Sequence, residues 1–333
     1  MSKIRSALII ALADGGVHSG ADLAQRLSCS RTAVWKHLNE LKSVGLQIDA
    51  RRGIGYQLRQ PLELLDKALI RRELDSHTRA ALGRLELHDE IGSTSERLRE
   101  LPAPAGDHFD AVLAEYQADG RGRRGRQWLS PFASGLCFSV NRWFEIVPAA
   151  LPALSLAAGI GVCRVLRDQV THSVGLKWPN DIVTDNGKLG GLLVDVRGEA
   201  DGPIVIVVGV GLNFDVSAAV AEQVAQAGGL APVGLRDLAE GAGLSRNLLA
   251  ARLISELHAV LTEFERSGFD TFADEWRRYD WLADRLVTAQ IGHRSVSGTA
   301  RGITNDGALL IDSDGHLQHL VAGEISLRPD CAG

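Results

Sequence analysis

The chain has 333 residues, 45% of them hydrophobic, with 36 Lys and Arg against 41 Asp and Glu for a net charge of −5. It is long for one domain and apolar enough for sizeable cores, so two or three domains are expected. No apolar run approaches the ~18 residues that a membrane helix needs, which excludes that class. Cys29, Cys137, Cys163 and Cys331 are scattered without CxxC spacing, so neither a zinc site nor a disulfide framework is indicated. Met1-Ser2-Lys3-Ile4-Arg5 leads into mixed apolar and polar residues with Asp14, unlike a signal peptide, and a cytoplasmic location is expected.

The net charge hides a split. Residues 1–61 hold nine Lys and Arg against four Asp and Glu, a net of +5 on a body of net −10. Ile4, Leu8, Ile9 and Leu12 fit one helical face that ends at Gly15-Gly16. Ser19 to Asp22 spells a capping box for a second helix buried through Leu23 and Leu27. Ser30 caps a third, whose Val34, Leu38 and Leu41 face inward while Arg31, Thr32, Trp35 and Lys36 stay exposed near its start. A hairpin from Leu46 to Leu58, with Arg51 and Arg52 at its tip, completes a winged helix-turn-helix. A plain three-helix pack with a solvated basic face also fits the periodicity, but the basic wing favours DNA contact through Ser30, Arg31, Thr32, Trp35, Lys36, Arg51 and Arg52. Arg59-Gln60-Pro61 reads as the exit from this domain.

From 62 to 279 helical and strand-like segments alternate irregularly. A helical pattern covers Leu62 to Leu74, and strands are expected at Leu85 to Leu87, Ala111 to Gln117, Gly135 to Trp143, Val174 to Trp178, Gly190 to Val196 and Ile204 to Leu212. Helices are expected from Leu154 to Gln169, Leu248 to Arg266 and Phe269 to Tyr279. Several strands are adjacent without a helix between them, so the class is α+β, a mixed sheet with helices packed on one side. In 280–333, runs at Leu286 to Ile291, Ser295 to Arg301, Ala308 to Ile311, Leu317 to Leu320 and Glu324 to Leu327 alternate with turns at Gly292-His293, Asn305-Asp306-Gly307 and Asp314-Gly315. They predict a small SH3-like β-barrel.

The stretch richest in chemistry is Gly120-Arg121-Gly122-Arg123-Arg124-Gly125-Arg126-Gln127-Trp128, which follows a predicted strand. Glycines let backbone wrap a ligand and guanidinium forks suit carboxylate and phosphate, so the loop is built to hold anions. It also spells GxGxxG, but Ser130-Pro131 and Gly135 break the helix a dinucleotide fold requires, and no HRD or DFG supports a kinase. A basic surface loop that touches nucleic acid is the plainer alternative. Four further features have ordinary explanations singly: Ser93-Thr94-Ser95-Glu96 as a capping box, Gln117 as a strand end, Lys177-Trp178-Pro179-Asn180-Asp181 as a β-turn, and Gly209-Val210-Gly211-Leu212-Asn213 as close backbone packing.

Their order is another matter. A winged helix, the Ser-Thr helix start, Gln117 with GRGRRGRQW, KWPND, KLGG at Lys188 to Gly191, GVGLN, and GEISL at Gly323 to Leu327 closely resembles the biotin protein ligases that double as biotin operon repressors. The resemblance spans essentially the whole chain, and its GRGRxGxxW and KWPND pair is highly specific.

The resemblance implies an enzyme that uses MgATP to make biotinoyl-5'-AMP and passes the biotinoyl group to one lysine of a biotin carboxyl carrier protein. It implies biotin contacts from Ser93, Thr94, Ser95, Gln117, Arg121, Gly122, Arg123 and Lys177, with Lys177, Arg123 and Arg121 carrying the catalytic charge. Nucleotide contacts fall on Arg123, Arg124, Arg126, Trp128, Asn180 and Asn213, and a magnesium contact on Asp181. Repression implies an adenylate-bound homodimer on operator DNA. The chain departs from the pattern twice: Ser95 stands where relatives often have asparagine, and Phe214 to Leu230 offers no tryptophan to close over adenine. Two other readings are a biotin-sensing regulator without ligase activity, and a lipoate or octanoyl ligase.

Overall fold

Three helices, α1 (Lys3–Leu12), α2 (Gly20–Arg26) and α3 (Arg31–Ser43), precede a hairpin of β1 (Ile48–Arg51) and β2 (Gly55–Leu58) in the computed structural model. Residues 3–51, 53–148, 150–198, 202–239, 243–291, 294–321 and 323–327 are described. The hydroxyls of Ser19 and Ser30 accept from the N–H groups of Asp22 and Ala33, satisfying orphan donors at the starts of α2 and α3. Val34, Leu38 and Leu41 are buried, and Ser30, Arg31, Thr32, Trp35 and Lys36 lie exposed at the start of α3 with Arg51 on the wing. Arg52 and the Gly292-His293 turn lie outside the described residues.

The core of this winged helix is not closed by its own residues. Phe132 and Ala133, from the central part of the chain, are buried in it, and Leu62, Leu64 and Tyr116 pack against it. The Phe132 N–H donates to the Val44 carbonyl at 2.9 Å. Gly45, at φ +96°, sits so close to Pro131 that a Cβ there would lie 2.4 Å from the proline's, so only glycine fits.

The predicted helix over 62–74 divides. Residues 62–65 are not helical, because Glu63 and Leu65 bond elsewhere, and Asp66 caps α4 (Lys67–Glu73) by accepting from Ala68 and Leu69. Then come α5 (Ser76–Ala81), β3 (Leu82–His88), α6 (Thr94–Glu100), β4 (Phe109–Ala114), β5 (Gly135–Phe144), α7 (Leu154–Arg167), β6 (Gly175–Lys177), β7 (Asp181–Thr184), β8 (Gly187–Gly198), β9 (Ile204–Asn213), α8 (Ala218–Gln226), α9 (Leu235–Leu238), α10 (Arg246–Ser267) and α11 (Ala273–Tyr279). The sheet order is β3-β4-β5-β9-β8-β7-β6, with β3 and β4 parallel and the other neighbours antiparallel. It is the mixed sheet expected of an α+β chain.

Alternation along the strands divides the burial. Leu136, Phe138 and Val140 of β5 and Ile206, Val208, Val210 and Leu212 of β9 share a core with α7 and α10. The other face is not bare: Leu98 of α6 packs on Val112, Val205 and Val207. The expectation of helices on one side thus describes α7 and α10, while α6 covers part of the opposite face. β4 is buried at every position, which erases the period-2 signal that would have shown this. The predicted strand over 111–117 also stops at Ala114, leaving Gln117 in a separate bridge with Ile91.

Strands β10 (Leu286–Ile291), β11 (Arg294–Ile303), β12 (Leu309–Ser313), β13 (His316–Leu320) and β14 (Glu324–Leu327) form an antiparallel sheet in the order β13-β12-β11-β10-β14. Among the described residues the end strands β13 and β14 do not pair with each other, so the expected small β-barrel is seen as a five-stranded antiparallel sheet. Val287, Ala289, Leu309 and Ile311 belong to the same core as the central sheet, and the Trp178 indole N–H donates to the Gly307 carbonyl at 2.9 Å.

One buried polar group gives the fold a pH dependence. His258 of α10 is 2% exposed, stacks on Phe109 with centroids 4.6 Å apart, and has neither ring nitrogen hydrogen-bonded. Burial, helped by the Arg142 and His77 charges, pushes its pKa down to about 4. The fold therefore holds the neutral ring while the unfolded chain takes a proton near pH 6.5. The associated stability, at most ~3 kcal/mol, is present above pH 6.5 and lost as the pH falls towards 4. Thermal unfolding of His258→Leu should fall less steeply than wild type between pH 6.5 and 4, and identical slopes would count against this account.

Candidate functional site

A cavity of about 820 Å³ opens between the start of α6, the strands β5, β8 and β9, the arginine loop, the turn after β6, helix α8 and the C-terminal sheet. Ser93, Thr94, Ser95, Gln117, Arg121, Gly122, Arg123, Arg124, Arg126, Trp128, Lys177, Asn180, Asp181 and Asn213 all line it. Residues spread over more than 100 positions of sequence meet there because the strand ends that carry them are neighbours in one sheet.

At one end the groups are neutral and polar. Backbone bonds from Ala118 to Ile91 and from Asp119 to Gly92 lay residues 117–119 beside the entry to α6. Gln117 Oε1 then accepts from the Thr94 N–H at 2.8 Å and the Thr94 hydroxyl at 3.1 Å, which leaves its amide NH2 as the donor half. Ser139 of β5, fully buried, shares hydrogen bonds with Thr94 at 2.8 Å and Ser95 at 2.9 Å. Ser93 caps α6 by accepting from the Glu96 N–H. Ser139 went unread in sequence; its signal is a lone hydroxyl inside the apolar run Leu136 to Val140.

The arginine loop closes on itself as a small hairpin. Gly122 N–H donates to Arg126 O at 2.7 Å, Trp128 N–H to Gly120 O at 2.8 Å, and Arg124 at the tip adopts φ 57°. Arg121 extends to Glu96 at 3.0 Å and lies 3.9 Å from Asp195. Arg123 donates to the Asn180 side chain at 3.4 Å, and Asn180 in turn donates to the Leu192 carbonyl at 2.6 Å. The Trp128 indole lies on Gly211, where any Cβ would come within 2.5 Å of the ring. The second glycine of GVGLN is therefore the floor on which this ring rests.

Lys177 ends β6, buried to 8% exposure, ahead of a turn containing the cis Trp178-Pro179 peptide. Register places it opposite Asp181, whose carboxylate pairs with Lys188 Nζ at 2.6 Å. Lys188 Nζ is 5.8 Å from the centre of the Trp128 ring, and Asn213 donates to the Lys188 carbonyl at 3.1 Å. Asp181 is paired with Lys188, and among the described residues no group of three or more His, Cys, Asp or Glu is placed to hold a metal ion. Sequence reading also missed the α8 face, where Val220, Gln223 and Val224 border the cavity without a tryptophan, and the contribution of Gln290 and Ile325 from the C-terminal sheet.

Comparison with known proteins matches this division of the chain. The HTH domain family covers residues 4–57, the Biotin/lipoate A/B protein ligase family residues 91–213, and the Biotin protein ligase C terminal domain residues 284–328. The chain is 40% identical to the Bifunctional ligase/repressor BirA of Salmonella typhimurium over 96% of each chain. It is 32% identical to the biotin–[acetyl-CoA-carboxylase] ligase of Mycobacterium tuberculosis, over 72% of this chain and 88% of that one. The structure of biotin protein ligase from Aquifex aeolicus in complex with biotin and ATP aligns with a TM-score of 0.59 at 26% identity, covering 74% of this chain and 98% of that one. With its polar pocket, its arginine loop and its winged helix all in place, the chain belongs to the family of bifunctional biotin ligase/repressors.

Proposed function

We propose that this protein joins biotin to ATP as biotinoyl-5'-AMP, transfers the biotinoyl group to a lysine of a biotin carboxyl carrier protein, and represses transcription through its winged helix. The observation that carries the reading is the polarity of one cavity, with neutral hydrogen-bonding groups around Thr94 and Gln117 and a ring of cations around Lys177 and the arginine loop. Biotin matches it, with a ureido ring at one end of the molecule and a carboxylate at the other.

In this reading the amide of Gln117 and the hydroxyls of Ser93, Thr94 and Ser95 hold the ureido ring. The biotin carboxylate oxygen attacks the α-phosphorus of ATP and pyrophosphate leaves. Two anions must meet for this, so Lys177, Arg121 and Arg123 offset charge that moves towards the leaving group. Alignment of the reactants in line is worth roughly 7–11 kcal/mol where the fit is good. The carrier lysine, as free amine, then attacks the acyl carbon and AMP departs. No side-chain nucleophile is needed. Gly122 and Arg123 close over the mixed anhydride and keep water from it, while Arg124, Arg126, Trp128, Asn180 and Asn213 receive the nucleotide. Magnesium enters as MgATP, a substrate.

The proposed division is 1–61 for DNA, 62–279 for catalysis and 280–333 for the C-terminal unit, in a cytoplasmic protein that dimerises when adenylate is bound. No helix among the described residues is long and apolar enough to cross a membrane. A regulator without ligase activity has no use for the ring of cations around Lys177, and lipoate lacks the ureido group that Gln117 would read.

Incubation with biotin, ATP and a carrier domain should add one biotinoyl mass to a single lysine, and lipoate in place of biotin should add none; the reverse outcome sinks the reading. Lys177→Ala should lower biotin-dependent pyrophosphate exchange ~100-fold or more. Arg123→Gly should still form adenylate but label unintended lysines, read by mass spectrometry of a bystander protein. Arg31→Ala should weaken operator binding and reduce its salt slope by ~1 with ligase activity unchanged, and an unaltered slope would remove Arg31 from the DNA contact.

A further inference from the structure

The neutral end of the cavity holds a chain of hydroxyls whose protons have no choice of direction. It is anchored by a group that can only donate: the backbone N–H of Thr94 points at Gln117 Oε1 at 2.8 Å, which identifies that atom as the carbonyl oxygen of the amide. A carbonyl oxygen only accepts, so the Thr94 hydroxyl, 3.1 Å away, directs its single proton to Gln117. Thr94 Oγ1 must then accept from Ser139 Oγ at 2.8 Å, and Ser139, its own proton used, must accept from Ser95 Oγ at 2.9 Å. The protons run from Ser95 to Ser139 to Thr94 to Gln117.

The sheet makes room for this chain. Ser139 is fully buried in β5 and does not line the cavity, whereas Thr94 and Ser95 do. Across the sheet Ser139 stands opposite Gly209, the first glycine of GVGLN, and a Cβ on Gly209 would lie 2.5 Å from Ser95 Oγ and 3.4 Å from Ser139 Oγ. Bare backbone at 209 is what lets Ser95 reach Ser139. A hydroxyl has one proton and two lone pairs, so once the order is set Thr94 and Ser95 keep lone pairs and no proton for the cavity.

We infer that Ser139 is a positioning residue that fixes the proton order of this pocket, making Thr94 and Ser95 acceptors only, so that the site admits paired N–H donors and rejects an oxygen presented in their place. The inference deepens the proposed ligase reading: a ureido ring carries two N–H donors and one carbonyl, the complement of two hydroxyl acceptors and the Gln117 amide donor. A buried acceptor left facing another acceptor loses its hydrogen bond without regaining water, so such a site discriminates strongly against an analogue that lacks the N–H. Ser139 acts on the ligand only through its two neighbours.

Two measurements test this. Neutron diffraction from deuterated, ligand-free full chain should place the deuterons of Ser95, Ser139 and Thr94 on the bonds to Ser139, Thr94 and Gln117, and any of them turned the other way overturns the inference. Calorimetric titration of wild type and Ser139→Ala should use biotin, desthiobiotin, which keeps both N–H groups, and the two cyclic carbamates in which oxygen replaces one ureido N–H. In wild type at least one carbamate should bind ~100-fold more weakly than biotin. Ser139→Ala should weaken biotin and desthiobiotin alike by about tenfold and shrink the carbamate discrimination about tenfold, because the Ser95 proton, without its acceptor, turns to the cavity. In biotin-dependent pyrophosphate exchange the loss should fall on KM for biotin, with kcat within about threefold. An equal loss for every ligand, as a loosened fold would give, unchanged discrimination, or a fall in kcat at constant KM overturns it. Protons in the stated order in a protein that binds no biotin would sink the ligase reading and uphold the order; biotin bound and transferred by a protein with the opposite order would sink this inference alone.

Discussion

The site depends on one buried guanidinium. Arg246, at the start of α10 and 1% exposed, donates to Glu115 at 2.7 Å, to the Gly135 carbonyl at 2.7 Å and to the Glu63 carbonyl at 2.6 Å. Glu115 and Gly135 bracket the whole excursion that carries the arginine loop, so a single side chain fixes both ends from which that loop departs. Charges taken this far from water cost several kcal/mol each, and hydrogen bonds to both terminal guanidinium nitrogens and to both carboxylates offset that cost, while Arg246 Nε has no partner among the described residues. Glu115 also accepts from the Leu65 N–H, while Glu63 accepts from Ser245, Asn247 and the Arg246 N–H. Burial opposes ionisation of Glu63, but these hydrogen bonds together hold its carboxyl below the usual range.

The same network explains what sequence could and could not reveal. Periodicity located α1, α2, α3, α7 and α10, because each buries a stripe against a core, and Ser19, Ser30 and Ser245 cap α2, α3 and α10. The C-terminal strands were legible from their turn residues. The segment 62–65 misled because its leucines repeat at helical spacing while its backbone is claimed by Arg246, Asn247 and Glu115, partners 50 to 183 positions away. No local pattern encodes such a contact. In the cavity, motifs named the arginines, Lys177 and Gln117, but Ser139 is visible only once β5 lies beneath α6, and the pairing of Asp181 with Lys188 only once β7 and β8 form a hairpin.

Charge in the cavity follows a simple division of labour. Six Lys and Arg line the cavity, and the carboxylates that pair with Arg121, Glu96 and Asp195, stand outside the lining, while Asp181 is the one acid among its described residues. Anionic ligands thus meet fixed positive groups without facing several acids at close range. Local dielectric strengthens those interactions wherever the loop and the indole keep water away.

The placement of Phe132 bears on how such a protein can be taken apart. A side chain from the far end of the arginine excursion fills the core of the DNA-reading module, and Gly45 is shaped to receive the adjoining proline. Cutting the chain at residue 61 would leave a hole in the excised fragment and a greasy stub on the remainder. Grafting a foreign reader onto this catalyst likewise means choosing a socket for the plug, since the seam between them is an apolar joint and not a tether.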